Sequence, residues 1–180
     1  MSLQAGTYRL GPDDGTLSVR TKRTGAAAKA GHDLLIEVTA WQATLEVGEA
    51  AADTTIELSA DATSLRVREG KGGMQSLGDD DKANIQQTID ADVLKGRAIA
   101  FRSTAVSGAD SRLSVQGELT LAGKTRPLAF DLAVSDGGRL SAVAVVKQSD
   151  WGMKPYSALF GALKVADEVE VAIDAGLPSS

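Results

Sequence analysis

The sequence predicts an all-β domain with minor α content, a sandwich or barrel of about eight antiparallel strands with one or two short helices. Three observations point there. Apolar residues recur at every second position through most of the chain, between turn signals. Helical spacing appears in only two places. The 180 residues, 43 % hydrophobic and 24 % charged, suit one globular core.

The alternation runs as follows along the chain. Over residues 16–21, Leu17 and Val19 alternate with Ser18 and Arg20. Leu34, Ile36 and Val38 share one parity, and Trp41, Leu45 and Val47 share the other. The switch near Ala40 predicts a bulge, or a strand whose two ends bury opposite faces. Ile56 and Leu58 alternate within 54–60, as Ile99 and Phe101 do with Ala100 and Arg102. The clearest run is Leu113, Val115, Gly117, Leu119 and Leu121, with polar residues between them. Ala122-Gly123-Lys124-Thr125 turns that run into Leu128, Phe130, Leu132 and Val134. Asp136-Gly137-Gly138 is a second hairpin signal, ahead of residues 140–146, where both parities are apolar or small. Val169, Val171 and Ile173 between Glu168, Glu170 and Asp174 form the last strand.

Two segments have helical periodicity. Asp79-Asp80-Asp81 precedes Ile85, Ile89 and Val93, spaced by four. Carboxylates there suit the free N–H groups and dipole of a helix start. Pro155 at a first helical position, then Tyr156, Leu159, Phe160 and Leu163, predicts a second helix. Gly70-Lys71-Gly72-Gly73 reads as a loop, too short for a phosphate loop and without its Lys-Ser/Thr ending. A single domain over 6–175, with tails at 1–5 and 176–180, accommodates all of this.

Composition removes several function classes. Nineteen basic against twenty-four acidic residues give −5, which argues against nucleic acid as a partner. No cysteine is present, so thiolate metal sites, iron–sulfur clusters and cysteine nucleophiles are excluded. With one histidine, a zinc site would be mostly carboxylate. The acidic triplet fails as a calcium loop, because positions five and six from Asp79 are Ala83 and Asn84. There is no Gly-x-Ser-x-Gly elbow, and Asp33 adjoins His32 too closely to orient it as a triad requires. No catalytic residue, metal or cofactor is therefore expected. The opening residues lack a basic start followed by an apolar run, so a cytoplasmic protein is expected, or a periplasmic or secreted one if the sequence is a mature form. No stretch nears 18 apolar residues, so no integral membrane segment is expected.

Six segments carry a family resemblance. Val115-Gln-Gly-Glu-Leu-Thr-Leu-Ala-Gly-Lys-Thr-Arg-Pro resembles the G-x-L-T-hydrophobic-x-G-x-T-K/R-P hairpin of the YceI-like family. Gln148-Ser-Asp-Trp-Gly-Met is similar to its R-S-D-F-G segment, and Val165-Ala-Asp-Glu-Val-Glu-Val-Ala-Ile-Asp to its closing strand. Ile99-Ala-Phe-Arg-Ser-Thr resembles I-T-F-K-S-T, Gly6-Thr-Tyr-Arg-Leu-Gly-Pro resembles G-x-Y-x-I-D-P, and Gly31-His-Asp-Leu resembles a Gly-His variant near the second strand. They stand in register over roughly 6–175. The resemblance implies a lipocalin-like extended β-barrel, a helix near one end, and a polyisoprenoid or other long amphiphilic lipid bound inside. It also implies bacterial relatives, many periplasmic and some dimeric. Two departures stand out. Ala91-Asp92-Val93-Leu94 replaces the family's D-F-F-D, and Gln148 replaces the basic residue of R-S-D-F.

The candidate ligand contacts are the inward-parity residues Val19, Ile36, Phe101, Val115, Leu119, Phe130 and Leu132. To these are added His32 near one mouth and the aromatic cluster Trp151, Tyr156 and Phe160 as lid or wall. Alternation leaves open whether such residues line a lumen or fill it. Small inward residues (Ala43, Gly117, Ala142, Ala144) leave volume unfilled, which favours a cavity slightly, and they equally suit a narrow, tightly closed barrel. The expected function is binding, storage or transport of a hydrophobic small molecule or lipid without catalysis, with His32, Arg20 or Lys22 as polar anchor and a possible homodimer. Two rivals stand beside it. One is an enzyme acting on a hydrophobic substrate through His32. The other is a structural or stress-related dimerisation module with a solid core.

Overall fold

The computed structural model describes residues 3–26, 32–72, 77–109, 111–135, 137–155, 157–158 and 163–178. The alternating segments become β1 (Gly6–Leu10), β2 (Gly15–Arg20), β3 (Arg23–Thr24), β4 (Asp33–Val38), β5 (Trp41–Val47), β6 (Thr55–Ala60) and β7 (Leu65–Lys71). After α1 (Asp79–Thr88) come β8 (Ile99–Ala109), β9 (Arg112–Leu121), β10 (Lys124–Val134), β11 (Arg139–Lys147), β12 (Ser157–Ala158), β13 (Leu163–Val165) and β14 (Glu168–Gly176). Eleven strands form one antiparallel sheet in the order β1-β5-β6-β8-β9-β10-β11-β14-β2-β4-β7.

That order is a circuit once the chain is followed. β1 runs on into β2 through a turn in which Asp14 N–H donates to Gly11 O. β4 runs on into β5 through Thr39 and Ala40, and β6 into β7 through the single turn Ala62–Ser64. Each is one long strand with a kink, paired at one end of the order by its first half and at the other by its second. Counted so, the sheet has eight staves, and the last, β14, returns beside the first through β2. The difference between eight expected strands and eleven observed is these three kinks.

The parity switch near Ala40 is the kink of the second long strand. Ile36 and Val38 before it, and Trp41, Ala43 and Leu45 after it, are all buried inside. The two residues between them turn the pleat so that both halves face one core, as a bulge does. The kinks are stitched to one another. Thr39 N–H donates to Ser64 O, Ala40 N–H donates to the Ser64 hydroxyl oxygen at 3.1 Å, and Asp61 N–H donates to Ala40 O. Ser64 is buried, so this bonding also satisfies its hydroxyl.

Beyond its kink β7 has no strand on its outer side among the described residues, and α1 lies there instead. The Gln86 side-chain oxygen accepts the Val67 N–H at 2.8 Å, which satisfies one of the edge groups that β7 would otherwise present. The first turn holds Asp79, Asp80 and Asp81, and the Asp81 carboxylate accepts Gly78 N–H at 3.0 Å. Wider turns carry the helix on to Leu94, and it ends where Lys95 and Gly96 take left-handed backbone angles.

Two expectations fail. Ser157–Ala158 is not helical; it is β12, paired antiparallel with β13, which pairs with β3 in a small second sheet. An apolar run this short fits either period, and here the ladder takes the backbone groups. Tyr156, Leu159 and Phe160 lie outside the described residues. Gly70 and Lys71 are not loop; they extend β7 opposite Leu34 and Asp33. The glycine serves packing there, since a Cβ at 70 would lie 2.2 Å from the Leu77 side chain. The hairpin turns hold. Ala122 and Gly123 form a two-residue turn with φ of 49° and 80°.

Candidate functional site

Inside the staves lies a cavity of about 510 Å³. Val19, Ile36, Phe101, Leu119, Phe130 and Leu132 line it, as the alternation predicts. The alanines at 43, 142 and 144 line it too, and their short side chains leave the volume open. Gly117 plays a different part. A Cβ there would lie 2.5 Å from the Phe101 ring, so the glycine seats that ring against the wall. Phe101 in turn meets Phe130, ring centres 5.3 Å apart and tilted by 54°.

Val115 and Trp151 do not line the cavity. Val115 is 1 % exposed and sits between its register partners Val106 and Phe130, so its side chain is used up in the packing of the wall. Trp151 is 3 % exposed, with its indole N–H donating to Leu119 O at 2.7 Å. That bond ties the turn Gln148–Trp151 across to β9. The placement of Tyr156 and Phe160 falls outside the described residues.

Alternation missed a wall and a cationic side chain in the lining. Ile85 from α1 and Ile89 from its wider-turned continuation line the cavity, so the helix completes the barrel on the outer side of β7. The polar lining gathers towards one end. Thr21, Arg23 and His32 come from the ends of β2, β3 and β4, Gln148 follows β11, and Asn84 and Thr88 come from α1. Arg20 and Lys22, the expected anchors, are exposed and absent from the lining. Arg23 stands there instead, on the parity of Leu17, Val19 and Thr21 continued outward. Its backbone N–H donates to Asp33 Oδ1 at 2.8 Å, its Nε lies 3.9 Å from the same oxygen, and its Nη1 donates to Lys71 O at 3.1 Å. The mouth is thus a braced polar rim around an apolar interior. Among the described residues no cluster of histidine and carboxylate side chains could hold a metal ion.

The wall is not uniform. β9 and β10 pair over ten positions and β11 and β14 over nine, but β10 and β11 pair only at Leu132–Ala142, Ala133–Ser141 and Val134–Leu140. Outside that contact, Arg112 Nε and Nη2 donate to Asp131 at 3.1 and 2.9 Å, and the Ser114 hydroxyl donates at 3.2 Å. The guanidinium above all holds the Asp131 carboxyl below the usual carboxylate range.

These features define a class: an antiparallel β-barrel with an apolar lumen, a polar rim and a helix in its wall. The YceI-like domain matches residues 8–177, and the chain belongs to the YceI-like family. Among solved structures it is similar to BcnA of Burkholderia cenocepacia, at 19 % identity over 92 % of this chain and 96 % of that one, with a TM-score of 0.66. It is also similar to the YceI protein of Campylobacter jejuni, at 14 % identity over 81 % and 85 %, TM-score 0.54. A mutant CJ YceI protein with a monobromobimane guest aligns at 12 % identity over the same shares, TM-score 0.58. At these identities the likeness is one of fold. No curated protein matches the chain. Among the described residues no helix is long and apolar enough to cross a membrane.

Proposed function

We propose that the protein binds, stores or carries a long hydrophobic or amphiphilic molecule, a polyisoprenoid, a fatty acid or a similar lipid, inside its barrel, and that it does so without catalysis. The observation that carries this reading is the 510 Å³ apolar cavity. It falls within the ~300–1,000 Å³ span of small-molecule sites. A buried methylene contributes about 0.8 kcal/mol, so ten contribute about 8 kcal/mol before ordering costs. Micromolar binding needs about that much net, so a chain somewhat longer than ten carbons, or one polar contact at the rim, suffices. Arg23 and His32 lie where such a head group would rest. The hollow lumen weighs against the solid dimerisation module. The test is native mass spectrometry of protein from its own host, followed by titration of delipidated protein with prenyl and fatty chains. Adducts of lipid mass and micromolar uptake are expected. A bare mass with no uptake of either chain type would refute it. An enzymatic role for His32 would show as an activity that His32→Ala abolishes.

A further inference from the structure

We infer that the apolar chain enters and leaves sideways, through a window between β10 and β11, while the polar rim holds the other end of the molecule. The inference rests on the cargo reading above and names its route. From Lys124 to Asp131, β10 pairs with β9 alone among the described strands, and from Val143 to Lys147, β11 pairs with β14 alone. The turn geometry says which backbone groups face the gap. The two-residue turn makes Leu121 and Lys124 a hydrogen-bonded pair, so even residues of β10 bond to β9. Two bonds lower down confirm the parity: Val134 N–H donates to Ser111 O on the β9 side, and Ser135 N–H donates to Arg139 O on the β11 side. Odd residues therefore face the gap: Thr125 is the first, and the next is Pro127, which has no N–H to give. A proline at this place belongs to an edge that stays unpaired.

The window has a frame and apolar lips. Leu132 and Ala142 close it at the foot, and the Trp151 turn, tied to Leu119 O, crosses it at the head. Leu128 and Phe130 line the cavity on the β10 side of the gap and are half-buried. On the facing strand stand Val143 and Val145, 58 % and 52 % exposed, the large apolar side chains most exposed among the described residues. A hydrocarbon chain passing between Leu128, Phe130 and these valines stays against apolar surface. At the rim it would pass Arg23, Asp33 and His32, whose polar groups gain nothing from it.

The test uses the absence of native cysteine. Ala129→Cys and Val145→Cys, which an extended ladder would set opposite each other, are joined by a short bifunctional thiol reagent. Uptake and release of a naturally fluorescent polyene fatty acid are then timed by stopped flow. Cross-linking is expected to slow both rates about tenfold or more with Kd unchanged, because Kd is their ratio. The double variant before cross-linking supplies the reference rates. Pro127→Val, which restores an N–H to the edge, should also slow exchange, and it keeps the test alive should the double variant not fold. Unchanged rates in the cross-linked protein, or in Pro127→Val, overturn the window and assign the traffic to the rim. If the unmodified protein takes up no probe of any chain length, the cargo reading falls first.

Discussion

Ala142→Leu separates a hollow barrel from a filled one by the sign of a stability change. Ala142 is buried, lines the cavity, and stands between Leu132 and Ile173 in the ladder. Leucine adds three carbons. Placed in open apolar space they contribute about 0.8 kcal/mol each, about 2.4 kcal/mol in all. Freezing the leucine rotamer takes back about 0.5–1 kcal/mol. Delipidated protein should gain about 1.5–2 kcal/mol in urea unfolding with an unchanged m-value, and its Tm should rise by about 3–8 °C. The same substitution in a packed core costs about 1–3 kcal/mol. Cargo should respond in the opposite sense. Three methylenes of space are lost, so a fatty-acid probe should bind about fifty-fold more weakly. A loss of 1 kcal/mol or more in the delipidated protein would refute the reasoning, since it would mean the lumen has no room.

Three further outcomes follow from the walls. Gly117→Ala should destabilise by about 1–3 kcal/mol in urea melts, because its Cβ meets Arg102 O at 2.4 Å and the Phe101 ring at 2.5 Å. Ala122→Asn should stabilise by about 1 kcal/mol, read as a Tm rise of a few degrees, since Ala122 holds φ of 49° and Asn-Gly suits that turn. Asp131→Asn tests the outer pair by pH. Its carboxyl is depressed by Arg112, so its contribution is present above the unfolded value near ~3.9 and is lost as pH falls through the folded one. The Tm gap between Asp131→Asn and the unmodified protein should therefore be open at pH 6 and close in strong acid; a gap that widens on acidification would contradict the pairing.

Much of the wall is legible in the sequence. Residues 112–134 and 168–176 alternate cleanly because each strand has one face inward and a hairpin or ladder neighbour on hand, whereas β8 changes parity between Phe101 and Val106 at a register shift beside Ser103. Interruptions are harder. Trp41 and Ile36 have opposite parity yet share a core, because two residues at the kink reset the pleat. The helix at 79–88 is visible from its spacing, but not its use as wall, since that depends on β7 lacking a strand neighbour there. Arg23 was within reach: continuing the odd parity of Leu17 and Val19 leads to it, whereas Arg20 and Lys22 fall on outward or even positions. Val115 and Leu119 look alike in the pattern. Only the placing of Val106 and Phe130 around Val115 takes it out of the lumen. Whether the interior is empty depends on the girth of the closed circuit and the summed bulk of its side chains, which no single strand encodes.

The pairing of Leu17 with Ile173 makes the earliest and the latest staves neighbours. A ribosome delivering this chain holds a gaping, sticky trough until residues 168–176 emerge, so closure waits for that stave. Contacts so distant along the polymer form slowly. Nascent copies should then rely on holdase protection, and losing Glu168–Gly176 should be far more damaging than its small share of the mass suggests.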